Sequence, residues 1–185
     1  MKVELVAKTT GVGKYSELNT EEITAAIARH GIIKEDNGKL VKYLMDHKHV
    51  SPLDMVNFVF EIRTSLSIGR QLLRHASIKP QEHSLRYSKV IDLEPFELRR
   101  EDVKNRQSST EIFDPVLGHE EETASQMIKQ YLDNGLALYE SLIAHGVAKE
   151  CARFILPNCT TTIMTFNGTL RSWITMLNVR CDHHA

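Results

Sequence analysis

Between residues 71 and 88 the chain reads Gln71-Leu72-Leu73-Arg74-His75-Ala76-Ser77-Ile78-Lys79-Pro80-Gln81-Glu82-His83-Ser84-Leu85-Arg86-Tyr87-Ser88. Two arginines, two histidines, a carboxylate and three serine hydroxyls fall within a helix end and the loop that follows it. Such a set suits a planar, polyhydroxylated anion. Arginine forks hold phosphate through paired hydrogen bonds, hydroxyls and amides read ribose and base edges, and loop backbone donors fill the gaps. A charge-assisted hydrogen bond contributes about 1.5–3 kcal/mol, so two arginines can anchor a nucleotide phosphate. In the competing reading Arg74 and Arg86 pair with Glu82 on a wet surface, contributing about 1 kcal/mol or less.

Three more arginines stand beside apolar runs: Arg153 before Phe154-Ile155-Leu156-Pro157, Arg171 beside Trp173, and Arg180 after Leu177-Asn178-Val179. Each alone reads as a salt-bridged strut. Together, in a chain of net charge −1, they read as distant segments gathered around one small anion. Ser84 adjoins His83, but no Ser–His–Asp arrangement accompanies it, so it is assigned to phosphate or ribose binding. His47-Lys48-His49 and His183-His184 lack a third ligand at useful spacing, and no metal site is expected. Residues 9–14 (Thr-Thr-Gly-Val-Gly-Lys) invite a phosphate-loop reading that fails on spacing, because Lys14 is followed by Tyr15.

The elements that must position these groups belong to a chain of 185 residues, 42% hydrophobic and 25% charged, within the ordinary globular range. Lys and Arg number 23 against 24 Asp and Glu, which argues against a nucleic-acid coat or an anionic-membrane binder. No apolar run approaches the roughly 18 residues of a membrane span. The first residues lack the apolar core of a signal peptide. Cys151, Cys159 and Cys181 are odd in number and form no Cys-x-x-Cys, so free thiols in the cytoplasm are expected. A chain this long buries roughly 70% of its unfolded surface, enough for one core, and residues 1–185 are read as a single domain.

Residues 3–6 alternate weakly and read as a first strand. Asn19 caps a helix, with Glu22 completing a capping box and Gly31 stopping it. A short helix is expected over 39–47, a strand with one buried face over 58–62, and a helix over 67–74 that Pro80 prevents from continuing. Residues 99–110 read as a polar surface loop. The longest helix is expected over 120–145, with Ile128, Tyr131, Leu132, Leu138, Tyr139 and Leu142 on one stripe and Gly146 as its cap. A short helix through Cys151 and Arg153 ends before Pro157. Residues 160–166 read as a strand, Asn167-Gly168 as a turn, and Leu170, Trp173, Ile174 and Leu177 as a final amphipathic helix. This pattern predicts an α+β fold, an antiparallel or mixed sheet packed by long helices.

The chain resembles the flavin-dependent thymidylate synthases. Their signature, Arg-His-Arg, seven residues, then Ser-x-Arg, is matched by Arg74-His75-Ala76, seven residues, then Ser84-Leu85-Arg86. His49-Val50-Ser51-Pro52, Gly69-Arg70-Gln71-Leu72-Leu73, Gln81-Glu82 and Tyr87 stand where the family has them. The segments 149–157 and 169–180 resemble the family's alanine-arginine-aliphatic-proline segment and its C-terminal helix. Pro157-Asn158-Cys159-Thr160 superficially resembles the nucleophilic cysteine of the other thymidylate synthase class, but the histidine is absent and an inert Cys159 is expected.

The resemblance implies methylation of dUMP to dTMP, with methylenetetrahydrofolate as carbon donor, NADPH as reductant and FAD as hydride carrier, in a homotetramer with shared active sites. Gln71, Arg74, Glu82, Ser84, Leu85, Arg86, Arg153 and Arg180 would then surround dUMP. Ser51, Arg74, His75, Glu82, Thr169, Leu170, Arg171 and Thr175 would hold FAD, with His49 near flavin or folate. Arg180 would be catalytic, a fixed cation meeting negative charge that develops on the uracil ring. Two departures bear on this. Ala76 replaces a flavin-contacting arginine, so weaker flavin retention is expected, with Lys79 as a compensating cation. Relatives continue beyond this arginine with Gln-x-Glu and more helix where this sequence has Asp182-His183-His184-Ala185, so a missing C-terminal segment is expected. Three functions fit: an active flavin-dependent thymidylate synthase, a related enzyme modifying C5 of another pyrimidine nucleotide, or a catalytically impaired nucleotide- or flavin-binding subunit.

Overall fold

A computed structural model describes residues 1–34, 37–88, 92–106, 108–117 and 121–181. The C-terminal positions 182–185, with the His183-His184 pair, lie outside them. A four-stranded antiparallel sheet carries the molecule, in the order β1 (Lys2–Lys8), β2 (Asn57–Ser65), β6 (Thr161–Thr169), β3 (Lys79–Glu82). Helices α1 (Thr20–Ala28), α2 (Gly38–Asp46), α3 (Leu66–Leu72), α4 (Ala124–Ala144), α5 (Lys149–Ala152) and α6 (Leu170–Arg180) complete an α+β fold. Strands β4 (Arg99–Glu101) and β5 (Ser109–Ile112) pair with each other in a separate two-stranded sheet.

Register follows from side-chain chemistry. Phe58, Phe60 and Ile62 of β2 lie opposite Gly168, Phe166 and Met164 of β6, so one face of the two central strands is apolar. Ile62, Ile78, Met164, Phe166, Trp173 and Met176 form the core beneath α6. Trp173 donates its indole N–H to the Phe58 carbonyl at 3.1 Å, and its ring stands edge-on to Phe60. This pins α6 to β2, the neighbour of the strand it follows.

Helix ends show the expected chemistry, with shifts. Asn19 and Glu22 form the capping box of α1. The helix stops before Gly31, because His30 already has φ +54° and the Gly31 N–H closes onto the Ala26 carbonyl at 2.7 Å. The long helix starts at Ala124 rather than 120, because Thr123 and Gln126 make a second capping box. Gly146, at φ +85°, ends it as expected.

Four expectations are corrected. Asn167-Gly168 is not a turn: Gly168 is buried inside β6, where a Cβ would lie 2.6 Å from Ile78 Cγ2 and 3.2 Å from Trp173 Nε1. The glycine is required by the close approach of the core, not by backbone reversal. After α3 the chain does not stay a loop but forms β3, an edge strand in which Pro80 is tolerated opposite Phe166. The described residues of 99–110 are mostly exposed, as expected, but carry strand. Arg100 of β4 donates to Glu111 of β5 at 2.6 Å and lies over the Phe113 ring, so charge pairs rather than apolar alternation fix that hairpin. Finally, the α4 stripe is only partly covered. Tyr139 is buried, whereas Tyr131 and Leu138 are 67% and 54% exposed.

Candidate active site

Strand β3 runs directly into the polar segment that sequence singles out. Its last residue, Glu82, accepts a hydrogen bond from Thr162 Oγ1 of β6 at 3.0 Å, and the His83 N–H donates to the Ile163 carbonyl at 2.9 Å. A tight turn follows, in which the Ser84 carbonyl accepts from the N–H groups of Tyr87 and Ser88 and from the Ser88 hydroxyl. Helix α5 holds this turn from outside. Lys149 donates to the Tyr87 carbonyl at 2.7 Å, and Arg86 sets Nε and Nη2 on Glu150 at 3.2 and 2.8 Å.

Beside the turn lies an open cavity of about 550 Å³. Glu82, Ser84 and Leu85 line it together with Arg153, which follows α5, with Arg70 of α3 and with Leu73 just after that helix. Four expected substrate residues thus converge. Arg86 is not among the lining residues, and its carboxylate partner is Glu150 rather than Glu82. Arg74 is exposed, with no protein partner among the described residues.

A second cluster joins the ends of α6 and α3. Arg180 donates from Nε to His75 Nε2 at 2.9 Å, from Nη2 to the Gln71 carbonyl at 2.9 Å, and from Nη1 to Gln71 Oε1 at 3.4 Å. His75 must be neutral to accept that bond, with its proton on Nδ1. Burial favours the neutral ring, and the Arg180 and Arg74 charges add to it, so its pKa lies below the usual 6.5.

A third cluster lies at the start of α6. Thr169 caps the helix by accepting from the Ser172 N–H at 3.1 Å and donates to Asp54 Oδ1 at 3.1 Å. Arg171 sets Nη1 on Asp54 Oδ2 at 2.9 Å, and Leu170 N–H bonds the Val56 carbonyl. Ser51 opens the 3₁₀ turn that carries Asp54. Thr175 turns its hydroxyl back onto the Arg171 carbonyl at 2.9 Å. His49 stands edge-on to Tyr43, which stacks on His47 with ring centroids 3.9 Å apart.

The expected cofactor residues are therefore divided between the two ends of one 11-residue helix, a separation of about 16 Å at 1.5 Å per residue. Sequence reasoning missed Arg70, Asp54 and Glu150. Arg70 had one available signal: it stands four residues before Arg74, one helical turn away. Asp54 and Glu150 had none, because their partners lie 117 and 64 residues distant. Lys79, the expected compensating cation, donates from its ammonium to the Ala76 carbonyl at 3.1 Å. Cys159 is half-buried, and burial pushes its thiol pKa up, the wrong direction for a nucleophile. Among the described residues no group of three or more His, Cys, Asp or Glu could hold a metal ion, and no helix is long and apolar enough to cross a membrane.

The family model described as "Thymidylate synthase complementing protein" matches residues 4–185. The chain is 40% identical over 168 residues to a flavin-dependent thymidylate synthase of Synechocystis, an alignment covering 89% of this chain and 77% of that one. It is 35% identical over 192 residues to a probable flavin-dependent thymidylate synthase of Paramecium bursaria Chlorella virus 1, covering 99% and 86%. With the flavin-dependent thymidylate synthase of Thermosipho melanesiensis it shares 32% identity over 153 residues, covering 82% and 66%. The arginine-histidine segment after α3, the serine turn after β3 and the arginine that ends α6 are thus carried on a chain whose match runs nearly from end to end, and this chain belongs to the thymidylate synthase complementing protein family.

Proposed function

We propose that this protein is a flavin-dependent thymidylate synthase, acting in the cytoplasm as a homotetramer with active sites shared between subunits. It converts dUMP to dTMP with methylenetetrahydrofolate as carbon donor, NADPH as reductant and FAD as cofactor. The observation that carries this reading is the junction of Arg180 with Gln71 and His75, which binds together segments 105 residues apart. Three donated hydrogen bonds fix the guanidinium there, and none of their acceptors cancels its charge.

The donor set fits an anionic dinucleotide. Arg74 is exposed, with no side-chain hydrogen bond or ion pair among the described residues, His75 offers Nδ1–H, and Arg171, which spends Nη1 on Asp54, stands at the N-terminus of α6, where the helix dipole favours negative charge. With Ser51, Glu82, Thr169, Leu170 and Thr175, these residues would hold FAD, and His49 would border the flavin or folate. When bound, FAD supplies the hydride and the protein supplies orientation and electrostatics.

In the cavity, Ser84, Leu85 and Arg153 bind the nucleotide, while Gln71, Arg74 and Arg86, which do not line this cavity, would reach the nucleotide of a site shared with another subunit. Glu82, fixed by Thr162, accepts from a hydroxyl or base N–H. Arg180 stabilises negative charge as it develops on the uracil N3 and its flanking carbonyl oxygens, and it moves no proton in doing so. Purified protein supplied with dUMP, methylenetetrahydrofolate, NADPH and FAD should form dTMP, detected by mass, and omission of any one should stop it. A product other than dTMP, or none, overturns the reading.

A further inference from the structure

We propose that Arg70 is a phosphate-binding residue of the nucleotide cavity, acting with Arg153 from a separate element. This rests on the function proposed above. The cavity, about 550 Å³, has the size of a small-molecule site and is large enough for a nucleoside monophosphate. Two of its lining residues, Arg70 and Arg153, carry guanidinium groups, against the single carboxylate of Glu82.

The partners of the arginines distinguish their tasks. Arg86 and Arg171 are matched by carboxylates, Glu150 and Asp54, and their charges are neutralised within the protein. The two cavity arginines are oriented by neutral acceptors instead. Arg70 donates Nη1 to the Asn158 amide oxygen at 3.0 Å, and Arg153 donates Nε to the Glu150 carbonyl at 3.3 Å. A neutral acceptor fixes direction without cancelling charge. Arg70 has five N–H donors and uses one of them among the described residues. The rest of its fork suits two oxygens of a phosphate, a geometry that lysine does not reproduce.

The test uses the flavin-loaded full chain, titrated with dUMP and with deoxyuridine, which lacks the phosphate. Arg70→Gln should weaken dUMP binding about tenfold or more and leave deoxyuridine affinity unchanged. Arg70→Lys should recover only part of the loss, and Asn158→Ala should produce a smaller loss confined to dUMP. Thermal melts establish that each variant is folded. Equal losses for both ligands mean a structural role and overturn the proposal, as does an unchanged dUMP affinity. A parent protein that binds neither ligand overturns the proposed function itself, a result distinct from either of these.

Discussion

Arg180 enters the junction between α6 and α3 through three donated hydrogen bonds, two to Gln71 and one to His75. None of those acceptors is anionic, so the cation remains available to a developing oxyanion. Arg180→Ala should therefore lower turnover by roughly 10²–10³-fold while changing dUMP affinity far less, a contrast read from single-turnover rates and equilibrium titration. Unchanged turnover at saturating dUMP would remove Arg180 from the chemistry. His75 gives the same junction a pH dependence. Its folded pKa is depressed below 6.5, so as pH falls the unfolded chain takes up this proton before the folded one does. Stability from His75 is thus complete above about 6.5 and is lost as pH falls from there through the folded value. Urea midpoints of the parent should decline across that window, and His75→Gln should flatten the decline. Identical profiles for the two proteins would show that the ring does not titrate in this way.

At the scale of elements, β6 and α6 behave as one unit because the strand ends in Gly168 and Thr169 and the helix starts at the next residue. Gly168→Ala would push a methyl group into Ile78, a β-branched side chain that is 2% exposed and has little room to yield. A loss of about 1–3 kcal/mol is expected from denaturant unfolding. Gly69→Ala should cost less, because the atom it meets is the flexible end of Met164. Equal costs would contradict the packing argument. These residues also show what sequence conveys. The Asn19–Glu22 capping box, the α6 amphipathicity and the β2 alternation were legible because each depends on neighbours within a few positions. Asn-Gly is a strong hairpin signal, so Gly168 was read as a turn, whereas its true cause is tertiary. Strand β3 was hidden for the same reason: β6, its one partner among the described residues, lies some 80 residues on. In the candidate site, the family resemblance singled out Ser84, Leu85 and Glu82, which share the lining of one cavity, while the acids that hold Arg86 and Arg171 could not be read from any local pattern.

At the scale of the molecule, helix α4 is 21 residues long, yet Ala124 and Tyr139 are its only buried residues. Tyr131, Leu132 and Leu138 line an apolar groove of about 260 Å³ with Ile155 and Pro157, and Phe154 nearby is 82% exposed. A lone chain has little reason to display such a surface in water. In the proposed homotetramer these groups are covered by other subunits. Tyr131→Glu and Leu138→Glu should reduce the sedimenting mass, and activity should fall with it if sites are shared. A parent chain that sediments as a monomer, or variants that retain full mass, would separate α4 from assembly.

Because α6 is anchored at its first turn and works at its last residue, it is a lever arm. A tilt of about 10° at the Thr169 end displaces the far end of a helix about 16 Å long by about 3 Å. That displacement equals the whole length of the bond from Arg180 to His75. Aim at one end of the helix is therefore set by fit at the other. The indole of Trp173, the bare Cα of Gly168 and the Asp54 carboxylate fix the helix toward its first turns, and through it they set where the guanidinium at the far end points.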